Sequence, residues 1–265
     1  MLQRTRGAVA LEWAWRDGRS RLVDLRQEGA LRVRMPRVAA GQDPEAVMIN
    51  TAGGLTGGDR LSFDCRFGPE SAAWLTGQAS EKVYRALDGV ATQQVRLHVG
   101  ARARAVWLPQ PLIMFEDSAF ERSLEVDLEP SACLFALEAT ILGRAAMGER
   151  VTRCRLGERW RVRRGGRLVW ASEFLLADAR ALQAAAALAG ARAFATFVYA
   201  APNAVETLSR FREIVGAWRG SAGVSAPGGV IVGTLLAADA DALMEDLRHL
   251  VEGFFERPMP RVWTC

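Results

Sequence analysis

The sequence contains few of the side chains that hold transition metals tightly. Only two of its 265 residues are histidines, His98 and His249, and neither has a second histidine or a cysteine at ligand spacing. The four cysteines are scattered and form no C-x-x-C pair: Cys65, Cys133, Cys154 and Cys265. This pattern argues against a zinc-dependent hydrolase and predicts reduced thiols rather than disulfides.

Several other common signatures are also missing. No window is apolar over the roughly eighteen residues that a membrane helix needs, and the start of the chain leads into an alternating segment rather than an apolar signal sequence. We therefore expect a cytoplasmic chain with no membrane partner. Neither G-x-S-x-G nor G-x-x-x-x-G-K-[ST] occurs, so the sequence offers no serine nucleophile elbow and no P-loop.

Positive charge is also modest for a protein so rich in arginine. The formal net charge is +4, from 34 basic and 30 acidic residues, and Lys82 is the single lysine. Arginines are interleaved with acids along the whole chain instead of clustering in one basic stripe. This arrangement argues against nucleic acid as a partner.

The first two thirds of the chain have the alternation of apolar and polar residues that places every other side chain on one buried face. The clearest alternating segments are residues 8–15, 60–67, 94–99 and 123–128. Gly165-Gly166 predicts a hairpin turn between two later segments. The pattern predicts a mainly-β fold, with a large irregular β-helix or sandwich-like body of stacked strands over residues 1–177.

The remaining residues, 178–265, have helical periodicity, which predicts a small α/β portion packed on the body as one structural unit. Two or three helices are expected there, the first over residues 179–188. Asn203 and Glu206 have the spacing of a capping box before a second helix. A further helix should begin near Asp239.

Two carboxylates lie in or beside polar, glycine-rich segments. Asp59 follows a loop with two pairs of glycines, at the head of a strand, where it would either face an interior channel or cap a turn. Because a strand and not a helix follows this loop, a phosphate site is disfavoured. Glu81 lies in the polar segment 76–85.

Two other carboxylates lie in apolar surroundings. Glu138 is the only charged residue in the run 134–142, and a carboxylate is costly to bury unless a cation or an arginine, such as Arg144, neutralises it. Glu173 has a similar apolar setting. These residues are the strongest local indications of a functional interior.

Five segments of the chain resemble the urease accessory protein UreD family, which is called UreH in some bacteria. They occur in the family's order and reach from about residue 45 to the C-terminus. The segments are GGLTGGD (53–59), QASEKVYR (78–85), LPQP (108–111), LGRAAMGE (142–149) and PRVW (260–263). Each alone would be a weak match, but their agreement is specific.

The resemblance implies a cytoplasmic chaperone without catalytic activity that acts in maturation of the nickel enzyme urease. Its implied partners are the urease apoprotein, UreF and the GTPase UreG, assembled as a dimer of UreD–UreF heterodimers. It implies a mainly-β fold with a small helical portion and no permanently bound cofactor.

The resemblance also implies Ni²⁺ in transit through a water-filled passage. We take Asp59, Glu81, Glu138 and Glu173 as candidate lining residues. Carboxylates and water hold Ni²⁺ more loosely than imidazole and thiolate groups do, which suits a passage that must release the ion.

Two other classes of function remain open from the residues alone. A β-rich carbohydrate-active hydrolase would use paired carboxylates such as Glu138 and Glu173 in an open cleft. An arginine-rich nucleic-acid binder would show strongly salt-dependent binding. Some aromatic residues near the predicted helices would serve either as partner anchors or, more simply, in packing of the helices on the β body: Trp218, Phe254, Phe255 and Trp263.

Overall fold

Two β-sheets dominate the computed structural model, which describes residues 4–144, 147–177 and 188–264. The first strands are β1 (Arg6–Arg16), β2 (Arg19–Gly29), β3 (Leu31–Arg34), β4 (Glu45–Asn50), β5 (Arg60–Phe67), β6 (Ala72–Gly77), β7 (Glu81–Val83), β8 (Ala91–Val99) and β9 (Arg104–Leu108). The others are β10 (Leu112–Met114), β11 (Ser118–Leu128), β12 (Cys133–Leu142), β13 (Cys154–Arg164), β14 (Arg167–Leu176), β15 (Ala193–Ala200), β16 (Ser221–Ser225) and β17 (Ile231–Ala237).

The strands form two sheets that enclose one apolar core. In the described residues, sheet A has seven strands in the order β14-β13-β11-β8-β5-β1-β2. Sheet B has ten strands, in the order β16-β17-β15-β12-β9-β6-β4-β3, with β10 beside β12 and β7 beside β10. The predicted mainly-β body of stacked strands is thus confirmed.

The chain winds between the sheets as a β-solenoid, so successive coils pair in parallel. Residues at equivalent positions of adjacent coils therefore form rows across sheet A. One buried row consists of Val9, Phe63, Val95, Leu124 and Trp160. Because every second residue of each strand points inward, the alternating pattern in the sequence becomes one continuous apolar layer.

The two edges of the solenoid differ in length and composition. Successive coils return from sheet A to sheet B through short turns at residues 68–71, 100–103 and 129–132. Sheet B leads to sheet A through longer segments, which together we call the loop edge: residues 51–59, 78–90, 109–117, 143–144 and 147–153. The longer connections give the molecule one edge with irregular, side-chain-rich surface.

Two helices cover the outer face of sheet B, α1 (Leu208–Gly216) and α2 (Ala240–Phe255). The ring of Phe254 stacks on Phe211 with centroids 4.2 Å apart, and Phe255 contacts Trp74 at 4.7 Å. A second apolar core lies between sheet B and the helices, and all four aromatic residues considered above as partner anchors pack against it: Trp218, Phe254, Phe255 and Trp263. The packing alternative is therefore the correct one.

Helix caps give one confirmed and one wrong prediction. Asp239 precedes α2, and its Oδ1 accepts a hydrogen bond from the N–H of Ala242 at 2.9 Å, as expected for an N-cap. The predicted capping box is wrong, because Asn203 donates to the carboxylate of Glu206 and caps no backbone N–H. A 3₁₀ turn, Ala204–Thr207, lies between Asn203 and α1.

The four alternating segments fall within β1, β5, β8 and β11, and the hairpin turn at Gly165-Gly166 joins β13 to β14, as predicted. The helix predicted over residues 179–188 lies, apart from Leu188, outside the described residues. Sheet B includes strands from both sides of residue 177, because β12 pairs with β15. The predicted division of the chain into residues 1–177 and 178–265 stays a prediction. Among the described helices, none has both the length and the apolar character that a membrane crossing requires.

Candidate functional site

A cavity of about 170 Å³ lies between the sheets and extends inward from the loop edge. Exposed residues at its outer end include Gln78 and Lys82, whereas Trp107 and Phe120 at its inner end are buried. Its polar lining consists of Asn50, Gln78, Ser80, Glu81, Lys82, Gln93, Gln110 and Arg122. The cavity thus connects a polar surface with the middle of the solenoid.

Glu81 lies on the wall of this cavity near its mouth. It begins β7, whose alternation turns Glu81 and Val83 inward and Lys82 toward solvent. The side-chain amide of Asn50 donates to both carboxylate oxygens of Glu81, at 3.0 and 3.2 Å. Burial raises the pKa of Glu81 to about 7, although the hydrogen bond from Asn50 opposes this shift.

Glu138 lies deeper, on the face of β12 that points toward sheet A, and its side chain is only 2% exposed. Trp107 donates its indole N–H to Oε1 at 3.0 Å. Arg122 Nε lies 3.1 Å from Oε2 as an ion pair without hydrogen-bond alignment, so neither atom has a hydrogen-bond partner among the described residues. Arg122 also binds Glu158.

The predicted partner of Glu138, Arg144, is wrong. Arg144 lies on the loop edge, where its Nε is 2.7 Å from Glu149 and its guanidinium stacks on the ring of Phe115. The true partner, Arg122, comes from the facing sheet, so its proximity depends on how the coils stack and not on closeness in sequence. The partner of Glu138 is therefore an arginine, as expected, but it is Arg122 and not Arg144.

Three members of this buried cluster were not predicted from the sequence: Trp107, Arg122 and Glu158. One signal in the sequence would have identified two of them. Arg122 is in phase with the inward residues of β11, and Glu158 is in phase with the inward residues of β13. A charged residue at an inward position of an alternating strand needs a buried partner. Trp107 carried no such signal, because the residues around it in β9 are all buried and show no alternation.

Burial raises the pKa of Glu138, and the guanidinium of Arg122 counteracts this effect. Arg122 and Trp107, which both contact Glu138, also line the inner end of the cavity. The acidic cluster therefore stands directly behind the cavity wall. Glu81 thus lines the cavity near its mouth, and Glu138 lies outside the lining, behind Arg122 and Trp107.

Asp59 has a local structural task. Its carboxylate accepts hydrogen bonds from the backbone N–H groups of Thr5, at 2.7 Å, and Thr56, at 2.8 Å. These bonds close the glycine-rich loop and attach it to the start of the chain. Of the two alternatives considered for Asp59, the turn cap is the one observed, and it is not among the described residues that line the cavity.

Glu173 lies on the outer side of sheet A, at the edge strand β14, with 64% of its side chain exposed and an ion pair to Arg161. The predicted apolar setting is wrong because Leu175, beside it on the same face, is also exposed. Glu138 is buried between the sheets, so the two carboxylates do not face one substrate. This placement removes the basis of the hydrolase alternative.

No group of three or more histidine, cysteine, aspartate or glutamate side chains within the described residues is arranged to hold a metal ion. The structure brings Glu81 and Glu138 to the cavity and its inner wall, and it leaves Asp59 and Glu173 elsewhere. The role of these four residues in nickel passage stays a prediction.

The segments that carry the family resemblance converge around the mouth of the cavity. Tyr84 donates to the carbonyl of Gly53 at 3.3 Å, joining the second segment to the first. Gln110 in the third segment donates to the carbonyl of Val262 in the fifth, at 2.8 Å. The fourth segment lies on the same loop edge, where Arg144 covers Phe115. Residues far apart in sequence thus build one surface.

Comparison of the sequence with known proteins identifies the family. The family model described as UreD urease accessory protein matches residues 5–264. Proteins named Urease accessory protein UreD from Rhizobium johnstonii and Mesorhizobium japonicum are each 43% identical, over 99% and 100% of this chain and 96% and 95% of their own lengths. Urease accessory protein UreD 1 of Brucella melitensis is 43% identical over 99% of this chain and 95% of its own length. The chain therefore belongs to the UreD family of urease accessory proteins.

Proposed function

We propose that this chain is a scaffold chaperone on the urease apoprotein and that Ni²⁺ passes through its interior on the way to the enzyme. Membership of the UreD family gives a non-catalytic role in urease maturation. The finer steps, docking with UreF and the GTPase UreG and transfer of the ion, are our proposal. The resemblance of the five segments supports these partners and an assembly of two UreD–UreF heterodimers.

The observation that carries the proposal is the cavity that extends from the loop edge to the cluster around Arg122. Glu81 lines its mouth, and Glu138 lies behind Arg122 and Trp107 at its inner end. A divalent cation in transit needs such oxygen ligands at intervals, with water completing its shell.

The type of ligand also supports transit rather than storage. Glu81 offers carboxylate oxygens, and its neighbours Gln78 and Gln110 carry amide oxygens. Oxygen ligands bind Ni²⁺ more weakly than imidazole or thiolate groups, so an ion would enter and leave such a site readily. Because burial raises the pKa of Glu81 to about 7, its negative charge is also available to a cation at neutral pH only in part.

Glutamate-to-glutamine variants test the proposal with little change in shape. Glu81→Gln and Glu138→Gln should each lower the rate of nickel-dependent urease activation several-fold in a reconstituted system with all accessory proteins. Glu173→Gln is the matched control, since Glu173 lies outside the cavity, and it should activate urease as fast as wild type.

The same samples must show that assembly is intact. Co-purification of urease, UreF and UreG with each variant separates a defect in nickel passage from a defect in docking. Activation by both cavity variants at the wild-type rate would contradict the passage. If a variant instead assembled poorly while its assembled complexes activated urease at the wild-type rate, that result would support the scaffold role and contradict the passage.

A further inference from the structure

Three large apolar side chains are exposed on segments of the loop edge. Leu87 is 75% exposed and Met147 is 74% exposed, and Tyr84 is also exposed. We call Tyr84, Leu87 and Met147 the loop-edge patch. Burying apolar side chains of this size in an interface is favourable, and Tyr and Met are enriched at such interfaces.

The loop-edge patch rests on a connected base and not on separate loops. The ring of Tyr84 packs edge-on against Phe115, with centroids 5.2 Å apart. The guanidinium of Arg144 stacks on the ring of Phe115, 4.4 Å from its centroid. The backbone N–H of Met147 donates to the carbonyl of Arg144 at 2.9 Å. These contacts fix the ring of Tyr84 and connect the backbone at Met147 to the same base through Arg144.

Charges around the patch are layered. Arg153 is 72% exposed, whereas its partner Asp117 is 26% exposed. Arg144 and its partner Glu149 show the same order, with the guanidinium outward and the carboxylate beneath. Although these charges nearly balance, the layer that a partner would meet is cationic, so the complementary face is acidic at its rim.

The patch also lies beside the mouth of the cavity. Tyr84 follows Lys82 by two residues, and Lys82 lines the mouth next to Glu81. A cationic rim repels Ni²⁺ at this point while the mouth is open to solvent. An acidic partner seated on the rim would neutralise it and enclose the ion at the same time.

We propose that the loop-edge patch docks the urease apoprotein through a face with an apolar centre and an acidic rim. This inference rests on the proposed function, because an ion handed to the enzyme without loss to solvent requires the enzyme around the mouth. Urease is also the partner that the family description itself names. Among the described residues of the helix-covered face, the aromatic side chains pack against the protein's own core.

Capture of urease by the tagged full-length chain tests the docking surface. The chain is co-expressed with the urease subunits and the other accessory proteins in a strain that lacks its own copy. The double variant Leu87→Asp with Met147→Asp should retain less than about a tenth of the wild-type urease. Val205→Asp, at another exposed apolar residue, is the control and should capture urease as wild type does.

Each outcome has one meaning. Wild-type urease capture by the double variant would overturn the docking surface, and loss of another accessory protein with urease retained would overturn the choice of partner. If the wild-type chain captured as much urease at high ionic strength as at low, the proposed acidic rim on the partner would be wrong. Active urease in the strain without this chain would overturn the proposed function itself. Thermal unfolding at the wild-type temperature shows that the variant is folded.

Discussion

Three buried charges meet between the sheets, and their balance decides the effect of a substitution there. One guanidinium, from Arg122, faces two carboxylates, from Glu138 and Glu158. Without the guanidinium two like charges would remain buried side by side. Without one carboxylate, Arg122 would still form an ion pair with the other carboxylate. The two kinds of substitution should therefore differ widely in cost.

Arg122→Met should lower the free energy of unfolding by about 3–5 kcal/mol, since it leaves buried carboxylates without a counter-charge. Glu138→Gln should lower it by no more than about 1 kcal/mol, because glutamine still accepts from Trp107 and Arg122 keeps Glu158. Urea unfolding at neutral pH measures both values. Equal losses would contradict this description of the cluster.

Glu81 should make stability depend on pH in a direction opposite to that of most carboxylates. Its pKa is about 7 in the folded chain against an ordinary value of 4.5, so the folded state binds more protons between these values. The cost of burying the charge is fully present above pH 7 and disappears as the pH falls toward 4.5. Glu81 should therefore destabilise the protein by at most about 3 kcal/mol at pH 8 relative to pH 4.5.

Comparison with Glu81→Gln isolates this contribution from the other carboxylates. The variant should be more stable than wild type at pH 8, and the difference should vanish near pH 4.5. Urea unfolding of both proteins across this range gives the difference directly, and Glu173→Gln on the outer surface serves as the control. A difference that grows as the pH falls would show that Glu81 is not the buried acid described here.

Sequence spacing alone did not show that Asp239 caps a helix and that Asn203 does not. Asp239 has extended backbone geometry and binds the N–H of Ala242, so it satisfies a free donor of α2. Asn203 has the residue type of a cap, yet its side chain binds that of Glu206. The difference lies in backbone geometry, which residue types alone do not determine.

Asp239→Ala should lower the free energy of unfolding by about 1 kcal/mol through loss of the cap. Asn203→Ala is the matched control and should change it by less than about 0.5 kcal/mol, because Asn203 caps no backbone N–H. Thermal or urea unfolding measures both. A larger loss for Asn203→Ala than for Asp239→Ala would reverse the assignment.

The strands were predictable because their alternation is local. In β5 every second residue is apolar and buried, and the same holds in β8 from Val95 to Val99. The candidate site was predictable only in part: the isolated acid in the apolar run of β12 marked Glu138 as buried. Its partner Arg122 lies on the facing sheet, and the cavity forms only when coils stack, so neither follows from any one segment.

Sheet B unites the β body with the helical portion. β15 pairs with β12 along eight residues, and β17 and β16 extend the sheet beyond it. On its outer face, Phe135 of β12 contacts Phe197 of β15 and Phe254 of α2. These contacts cross the boundary between residues 177 and 178. They should make folding of the two portions cooperative.

A fragment of residues 1–177 should therefore fail to form a stable fold, because it would expose the apolar outer face of sheet B around Phe135 and Trp74. We expect it to aggregate or to bind a hydrophobic dye. The full chain should unfold in one transition by both far- and near-ultraviolet circular dichroism. Trp263→Phe, which loses the hydrogen bond to Thr76 and part of the ring packing, should keep that single transition and lose about 1 kcal/mol or more. A soluble, cooperatively unfolding fragment would show instead that the body is an independent domain.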